Sequence, residues 1–328
     1  MYRIRFTVRI LTLVTIVLAF AAITQAQATR TWVSGVGDDL NPCSRTAPCK
    51  TFAGAISKTF INGEINCLDP GGYGTVTITK SLTIDCEDTQ GSILASGAPA
   101  GITINLGAVN ANDPLRTVRL RGLSINGAGA SGTVGTHTGT RGINVSSANA
   151  AAVKVFVDEL FIHGFINEGI FFNAPGGDLV VRDSLIIDNG GSGIRTRSTL
   201  AGSTGVVHVS VTRTTTHLNQ QGIRFEGNSF GVVSNCTASN NTLNGFVVNP
   251  TTIGGTEMNI VDSTANNNRQ FGVFSGGTGF TGVVRIFNLT AFHNTNLQLE
   301  VAAGGSILSN GRNHIGTPTD APGVFTDQ

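Results

Sequence analysis

Cys236–Phe246 reads CTASNNTLNGF, and Ser263–Val273 reads STANNNRQFGV. Both run Thr-Ala, a polar residue, Asn-Asn, and soon after a glycine beside an apolar residue. The fifth position of the phrase is Asn240 in one copy and Asn267 in the other. LTAFH supplies His293 at that position, and upstream RTTTH, SLIID and LFIHG supply His217, Asp188 and His163. These positions recur at about 26 residues, the spacing of a solenoid that completes one coil per repeat.

Between the phrases lie VKVFV, LVVRD, VVHVSV, MNIVD and VVRIF. They alternate and are rich in β-branched residues, which marks short strands. No helical stripe interrupts them. Leucine-rich repeats want Leu where this chain has Val, Ile and Thr, and propeller blades are longer with a Trp signature. The pattern predicts an all-β parallel β-helix of about nine coils. Coils stack about 4.8 Å apart, so equivalent residues become vertical neighbours. A ladder of stacked amides is expected at Asn240 and Asn267, interrupted by His163, Asp188 and His217. The glycines of Gly169-Ile170, Gly193-Ile194, Gly222-Ile223, Gly245-Phe246 and Gly272-Val273 would permit the bend that follows.

Composition agrees. Only 12% of residues are charged and Gly is 43 of 328. Arg3, Arg5 and Arg9, the apolar run Ile10–Ile23 and Ala26-Gln27-Ala28 read as a secretory signal over residues 1–28. Cleavage after Ala26 fits nearly as well. The run is short for a membrane span. Taking those three arginines from 21 basic residues leaves 18 against 20 acidic ones, no footprint for nucleic acid. The expectation is an exported monomer, periplasmic or extracellular, with no membrane span once the signal is cleaved.

In an oxidising compartment Cys43 and Cys49 would close the loop between them. Cys67 and Cys86 share parity with Ile65 and Ile84 on adjacent rungs, which predicts a second disulfide. Cys236 is left over as a buried thiol. Phe52, Ala55, Ile56 and Phe60 form an amphipathic stripe, a helix to lie across the open end of the solenoid. Residues 29–62 thus form an N-terminal cap, residues 63–316 the solenoid and residues 317–328 a polar tail.

Trp32-Val33-Ser34, Gly37-Asp38-Asp39-Leu40-Asn41-Pro42 and Pro48-Cys49-Lys50-Thr51 resemble the opening of secreted right-handed β-helix proteins of the pectate-lyase-like superfamily. GEINCLDPGGYG with VTITKSLTI resembles their first coil. The resemblance spans Thr31–Gly316 and implies right-handed winding. The superfamily mixes lyases, hydrolases and proteins without a known reaction. Its enzymes use clustered Asp with Ca²⁺ and an Arg or Lys base, or paired acids.

Asp158 over Asp183 is the best carboxylate pair in the chain, and at one rung's separation it would suit a retaining glycosidase or recruit Ca²⁺. No other cofactor or metal is expected. His163, Asp188 and His217 would stack as His-Asp-His, able to orient a general base. Arg195 over Arg224 and Arg197 over Glu226 form a charged patch suited to the carboxylate of an acidic sugar. Each has a plainer reading: corner polar residues, ladder substitutions and a solvated ion-pair surface. Asp38-Asp39 reads as a turn. Trp32 and Tyr73 are the only Trp and Tyr beyond the signal, and both lie near the N-terminal end. The first expectation is therefore an exported scaffold that associates with glycans or the cell surface and carries no catalytic motif. The alternative is a polysaccharide lyase or glycoside hydrolase acting on an acidic polysaccharide around Asp158 and Asp183.

Overall fold

Val153, Val155 and Val157 point inward and are buried while Lys154 points out. The same alternation runs through every coil, and it builds the first sheet. A computed structural model of the protein describes residues 27–129, 136–146, 151–199, 205–251 and 253–316. The expected signal peptide, except its last two residues, and the expected tail lie outside them.

The described strands form three long parallel sheets. Sheet 1 has eleven strands, from Ala28–Val33 to Gly305–Ser309. Sheet 2 has nine, from Val76–Ile78 to Leu297–Val301. Sheet 3 has seven, from Gly71–Gly72 to Thr237–Ser239, and isolated bridges carry its line on through Thr264 to Thr290. The chain visits sheet 1, then sheet 3, then sheet 2, and returns. In one coil these visits are Val153–Asp158, Phe161–His163 and Ile170–Ala174.

Register makes the core a set of vertical columns. In sheet 1, Ile84, Leu120, Val157, Val181, Val211, Val233, Ile260 and Ile286 are successive partners. Every one is fully buried. In sheet 3 the column changes from Ile162 and Ile186 to Thr216 and Ala238. The smaller residues stand beside a file of buried asparagines.

That file is the amide ladder, and it lies one residue beyond its expected place. Asn189, Asn219, Asn241, Asn268 and Asn294 are buried. Asn189 Nδ2 donates to Asn219 Oδ1 at 2.8 Å, Asn241 Nδ2 to Asn268 Oδ1 at 2.9 Å and Asn268 Nδ2 to Asn294 Oδ1 at 2.9 Å. Asn219 N–H donates to Asn241 Oδ1 at 3.1 Å, and Gln298 Oε1 ends the file by accepting from Asn294 Nδ2 at 2.7 Å. The preceding residues, Asp188, Leu218, Asn240, Asn267 and His293, have φ between 54° and 57°. They make the corner itself, a left-handed conformation that Asn tolerates better than most residues. Asn240 and Asn267 are thus vertical neighbours, but at the corner rather than in the ladder. A second left-handed corner follows sheet 1, at Glu159, Asp183, Arg213, Asn235, Asp262 and Asn288.

The column glycines serve close approach rather than bending. A Cβ on Gly245 would meet Gly272 O at 2.6 Å and Asn268 Nδ2 at 2.9 Å.

At the N-terminal end a helix runs Phe52–Lys58 and touches the first strands of sheets 1 and 2. Thr51 Oγ1 caps it by accepting from Gly54 N–H at 2.9 Å. Asp38 makes the local turn, accepting from Leu40 N–H at 2.9 Å, whereas Asp39 reaches the start of the helix and accepts from Lys50 N–H at 2.8 Å and Thr51 N–H at 2.9 Å. Phe52 packs its ring 5.1 Å from that of Tyr73. The expected stripe ends early. The chain turns into a strand at Thr59, paired with Ala28–Val33, and Phe60 is exposed. Disulfides join Cys43 to Cys49 and Cys67 to Cys86, with Cα–Cα distances of 4.6 and 4.9 Å. Ile65 lies over Ile84 as the parity of Cys67 and Cys86 requires.

Candidate functional site

The two corners decide where the candidate acids go. Asp158 is the last residue of its sheet 1 strand and lies over Arg182. Asp183 belongs to the next column, the left-handed corner. The expected Asp158–Asp183 stack therefore does not form. Each acid meets an arginine instead. Arg182 Nε donates to Asp158 Oδ1 at 2.6 Å and its Nη2 to Oδ2 at 3.0 Å. Arg213 makes the same fork on Asp183, at 2.6 and 2.7 Å. That hydrogen bond, with the arginine's charge, holds the Asp183 carboxyl below its ordinary value. A retaining glycosidase keeps one carboxyl protonated, the opposite of what Arg213 favours at Asp183. Among the described residues no three His, Cys, Asp or Glu converge to hold a metal ion.

The His-Asp-His stack is also displaced. His163 lies over Ile187, which lies over His217. Asp188 is one residue further on, at the corner, with His137 Nε2 3.7 Å from its Oδ2. His163 stacks on Phe161 at 4.5 Å, and His217 Nδ1 meets Asn240 Nδ2 at 3.2 Å. Burial, with the charge on His137, pushes the His163 pKa down against the pull of Asp188. The two slips have one cause: His163 and His217 sit one residue earlier in their copies than Asp188 or Asn240. A signal in the sequence would have found this. Each corner lies two residues after an inward-facing residue, as with Val157 and Glu159, Val181 and Asp183, or Val211 and Arg213.

The arginine patch does assemble, on the outer face of sheet 2. Phe171, Arg195 and Arg224 are successive partners. Two glutamates stitch them together. Glu168 Oε2 accepts from Arg141 Nε at 2.7 Å and its Oε1 from Arg195 Nη1 at 2.9 Å. Glu226 Oε2 accepts from Arg195 Nε and Nη2 at 3.1 and 2.9 Å, and Glu226 also pairs with Arg224. Burial alone would raise the Glu168 pKa, but the hydrogen bonds and charges of Arg141 and Arg195 hold it below its ordinary value of 4.5. Arg197 Nε donates to Asn173 Oδ1 at 2.7 Å. Arg141, Glu168 and Phe171 were not singled out as members of this patch. The signal for Arg141 and Glu168 is the position just before each column glycine, shared with Ser192, Gln221 and Asn244, while Phe171 lies two residues after Gly169 as Arg195 and Arg224 lie two after theirs.

Sheet 1 carries a groove on its outer face. A depression of about 440 Å³ lies by Trp32, Arg30, Glu64 and Asp85. It meets one of about 280 Å³ at Glu64 and Asp85, and that one meets a third of about 450 Å³ at Phe156. The third ends at Phe230 and Val232, both partly exposed. Across the three, six basic side chains face six acidic ones. Most are paired: Arg30 with Glu64 at 2.8 Å, Arg121 with Asp85 at 3.2 Å and with Glu87, and Arg182 with Asp158. Cys236 faces the core instead, where burial pushes its thiol up to about 11.

A solenoid of three parallel sheets with an internal asparagine ladder defines the class: a parallel β-helix. The chain belongs to the right-handed β-helix family, whose description is "Right handed beta helix region" and which its residues 141–316 match. Among solved structures it is similar to the pectate lyase Pel9A, at 17% identity over 87% of this chain and 68% of that one, with a TM-score of 0.51. It is also similar to a rhamnogalacturonan lyase, at 14% identity over 82% of this chain and 75% of that one, with a TM-score of 0.57. Likeness at this identity speaks for the pectate-lyase-like fold alone. No curated protein matches the chain in sequence. Among the described residues no helix is long and apolar enough to cross a membrane.

Proposed function

We propose that this is an exported glycan-binding β-helix that holds an uncharged polysaccharide chain along the outer face of sheet 1. The groove carries the reading. It runs from the strand of Trp32 to that of Phe230, seven strand spacings of roughly 4.8 Å, or about 34 Å. Such a track suits an extended polymer better than a small molecule. Trp32, Phe156 and Phe230 supply apolar faces along it. The equal count of acids and bases, most already neutralised by one another, favours a ligand that hydrogen-bonds without carrying charge. Titration calorimetry with soluble neutral polysaccharides, such as glucan, mannan, galactan and xylan, tests it. At least one should bind the wild type, and Trp32→Ala and Phe230→Ala should weaken that binding about tenfold, the scale of one lost aromatic contact. No binding to any neutral chain, or binding indifferent to both substitutions, would sink the proposal.

The lyase or hydrolase alternative has one observation in its favour. Arg119 lies in the groove with its guanidinium 5.1 Å from the Phe156 centroid and has no carboxylate partner among the described residues. The solved neighbours named as lyases give the substrates to try first. Incubation with pectate or rhamnogalacturonan would release unsaturated ends absorbing in the ultraviolet, and Arg119→Ala would abolish them.

A further inference from the structure

The outer face of sheet 2 has the opposite character to that of sheet 1. Around Phe171, four arginines, Arg141, Arg195, Arg197 and Arg224, cluster with two glutamates, Glu168 and Glu226, a local excess of two positive charges, while Glu300 stands three strands beyond Arg224 in the same column. Both glutamate side chains are about 95% buried, at 6% and 5% exposure, whereas those of Arg141 and Arg195 keep 27%. The acids therefore lie beneath and the guanidinium groups above. Buried carboxylates tolerate this only because they are paired.

Three of the guanidinium groups share one ring. The Cζ atoms of Arg141, Arg195 and Arg197 lie 4.8, 5.3 and 5.5 Å from the Phe171 centroid. Like charges do not gather so closely without something to hold them. Here the aromatic face and the two carboxylates do it. Arg195 spends its donors on the glutamates. Arg141 and Arg197 do not: each donates through Nε alone, to Glu168 and to Asn173, which leaves Nη1 and Nη2 of both without a partner among the described residues. A planar fork with both terminal nitrogens open is the geometry that takes a carboxylate or sulfate bidentately.

We propose that Arg141 and Arg197, braced by Glu168, Asn173 and Phe171, form an anion site for the carboxylates or sulfate esters of an acidic polysaccharide, separate from the neutral-chain groove on sheet 1. It is independent of that groove, since no residue is shared. Arg141 and Arg197 come from coils two apart, roughly 10 Å along the axis, so their two open forks can meet two anionic groups of one chain. A polymer bearing regular anionic groups is therefore a better fit than a single small anion.

The test is calorimetry on the full chain with polygalacturonate, its carboxyl-reduced counterpart and dextran sulfate. The wild type should bind polygalacturonate at least tenfold more tightly than the reduced chain, the scale of one charge-assisted hydrogen bond of about 1.5 kcal/mol or more. Raising salt from about 0.05 to 0.5 M should erase the preference, because surface charges are screened. Equal binding of charged and reduced chains by the wild type overturns the proposal without any variant. Arg141→Ala with Arg197→Ala should abolish the preference. Arg141→Lys with Arg197→Lys should lose most of it while keeping the charge, because the fork is gone. If the alanine pair still prefers polygalacturonate, the proposal fails. If the lysine pair binds as tightly as wild type, the bidentate site fails. Dextran sulfate reports the source of the anion: binding tighter than that of polygalacturonate assigns the site to sulfate esters, weaker binding to uronates. Loss of neutral-chain binding at sheet 1 with intact anion preference would instead count against the groove alone.

Discussion

Asn240 and Asn241 are neighbours in sequence with different work to do. Asn240 is an exposed corner residue with φ 55°, and its amide meets His217. Asn241 is fully buried, accepts from Asn219 N–H and donates to Asn268. Asn241→Ala strips two buried partners of their bonds and should cost about 2–3 kcal/mol. Asn240→Ala keeps the Cβ in the left-handed region but loses the amide that lets Asn tolerate it, and should cost about 1 kcal/mol, while Asn240→Gly should be close to neutral. Urea midpoints of the three variants check the order, and equal losses at both positions would refute the placement of the ladder. Glu168 invites a pH experiment. Its carboxyl titrates below 4.5 in the folded protein, against an ordinary value in the unfolded chain. The stability it contributes is complete above the unfolded value and is lost as pH falls through the folded one. Glu168→Gln should therefore be less stable than wild type at pH 7, and its stability should fall less steeply on acidification below about pH 4.5. Parallel urea titrations from pH 7 to pH 3 would reveal the two slopes.

The strands and corners behave as units, and the disulfide between the first coils tests one of them. Cys67–Cys86 closes a loop with a sequence separation of 19 between neighbouring strands of sheet 1. Replacing both cysteines by Ala should lower stability by about 3 kcal/mol through the freedom restored to the unfolded loop. Denaturation of the oxidised and doubly substituted proteins measures it. This element was readable in the sequence because its logic is parity, and parity survives any change of residue type. The period and the all-β winding were readable for the same reason. The corner columns were not, because a left-handed corner here accepts Glu159, Asp183, Arg213, Leu218 or Asn240 alike. Identity carries no signal at such a position; only the distance from the last inward-facing residue does. Aligning His163 with Asp188 by likeness of chemistry moved the copy by one residue, which turned an ion pair of Asp158 with Arg182 into an apparent pair of acids. The patch on sheet 2 was half legible. Arg195 and Arg224 follow a visible glycine in each copy, but the glutamate that joins Arg195 to Arg141, Glu168, comes from the coil before.

For the molecule as a whole, each coil is held mainly by the coils on either side, so stability is distributed along the axis and weakest where a neighbour is missing. The two ends differ. At the N-terminal end the helix Phe52–Lys58 and the Cys43–Cys49 loop lie by the first strands, and Phe52 is fully buried. At the other end Gly305–Ser309 pairs with Gly282–Phe287 on one side only among the described residues, and Leu297–Val301 likewise closes sheet 2. Val211 and Ile307 face the core from strands in these two situations, one mid-stack and one terminal. Both are large apolar groups with almost no exposure, so burial alone would assign them similar costs on truncation. The solenoid argument separates them. Val211→Ala opens a cavity between two fixed coils and should cost about 2–3 kcal/mol. Ile307→Ala loosens a coil that already opens locally, and the global transition should move by less than half as much despite the larger deletion. Amide hydrogen exchange supplies the independent reading: the amides of Gly305–Ser309 should exchange well before those of Val207–Thr212. If both strands exchanged together and both truncations shifted the midpoint equally, the whole stack would be unfolding as one unit, and end-fraying would have no part in its stability.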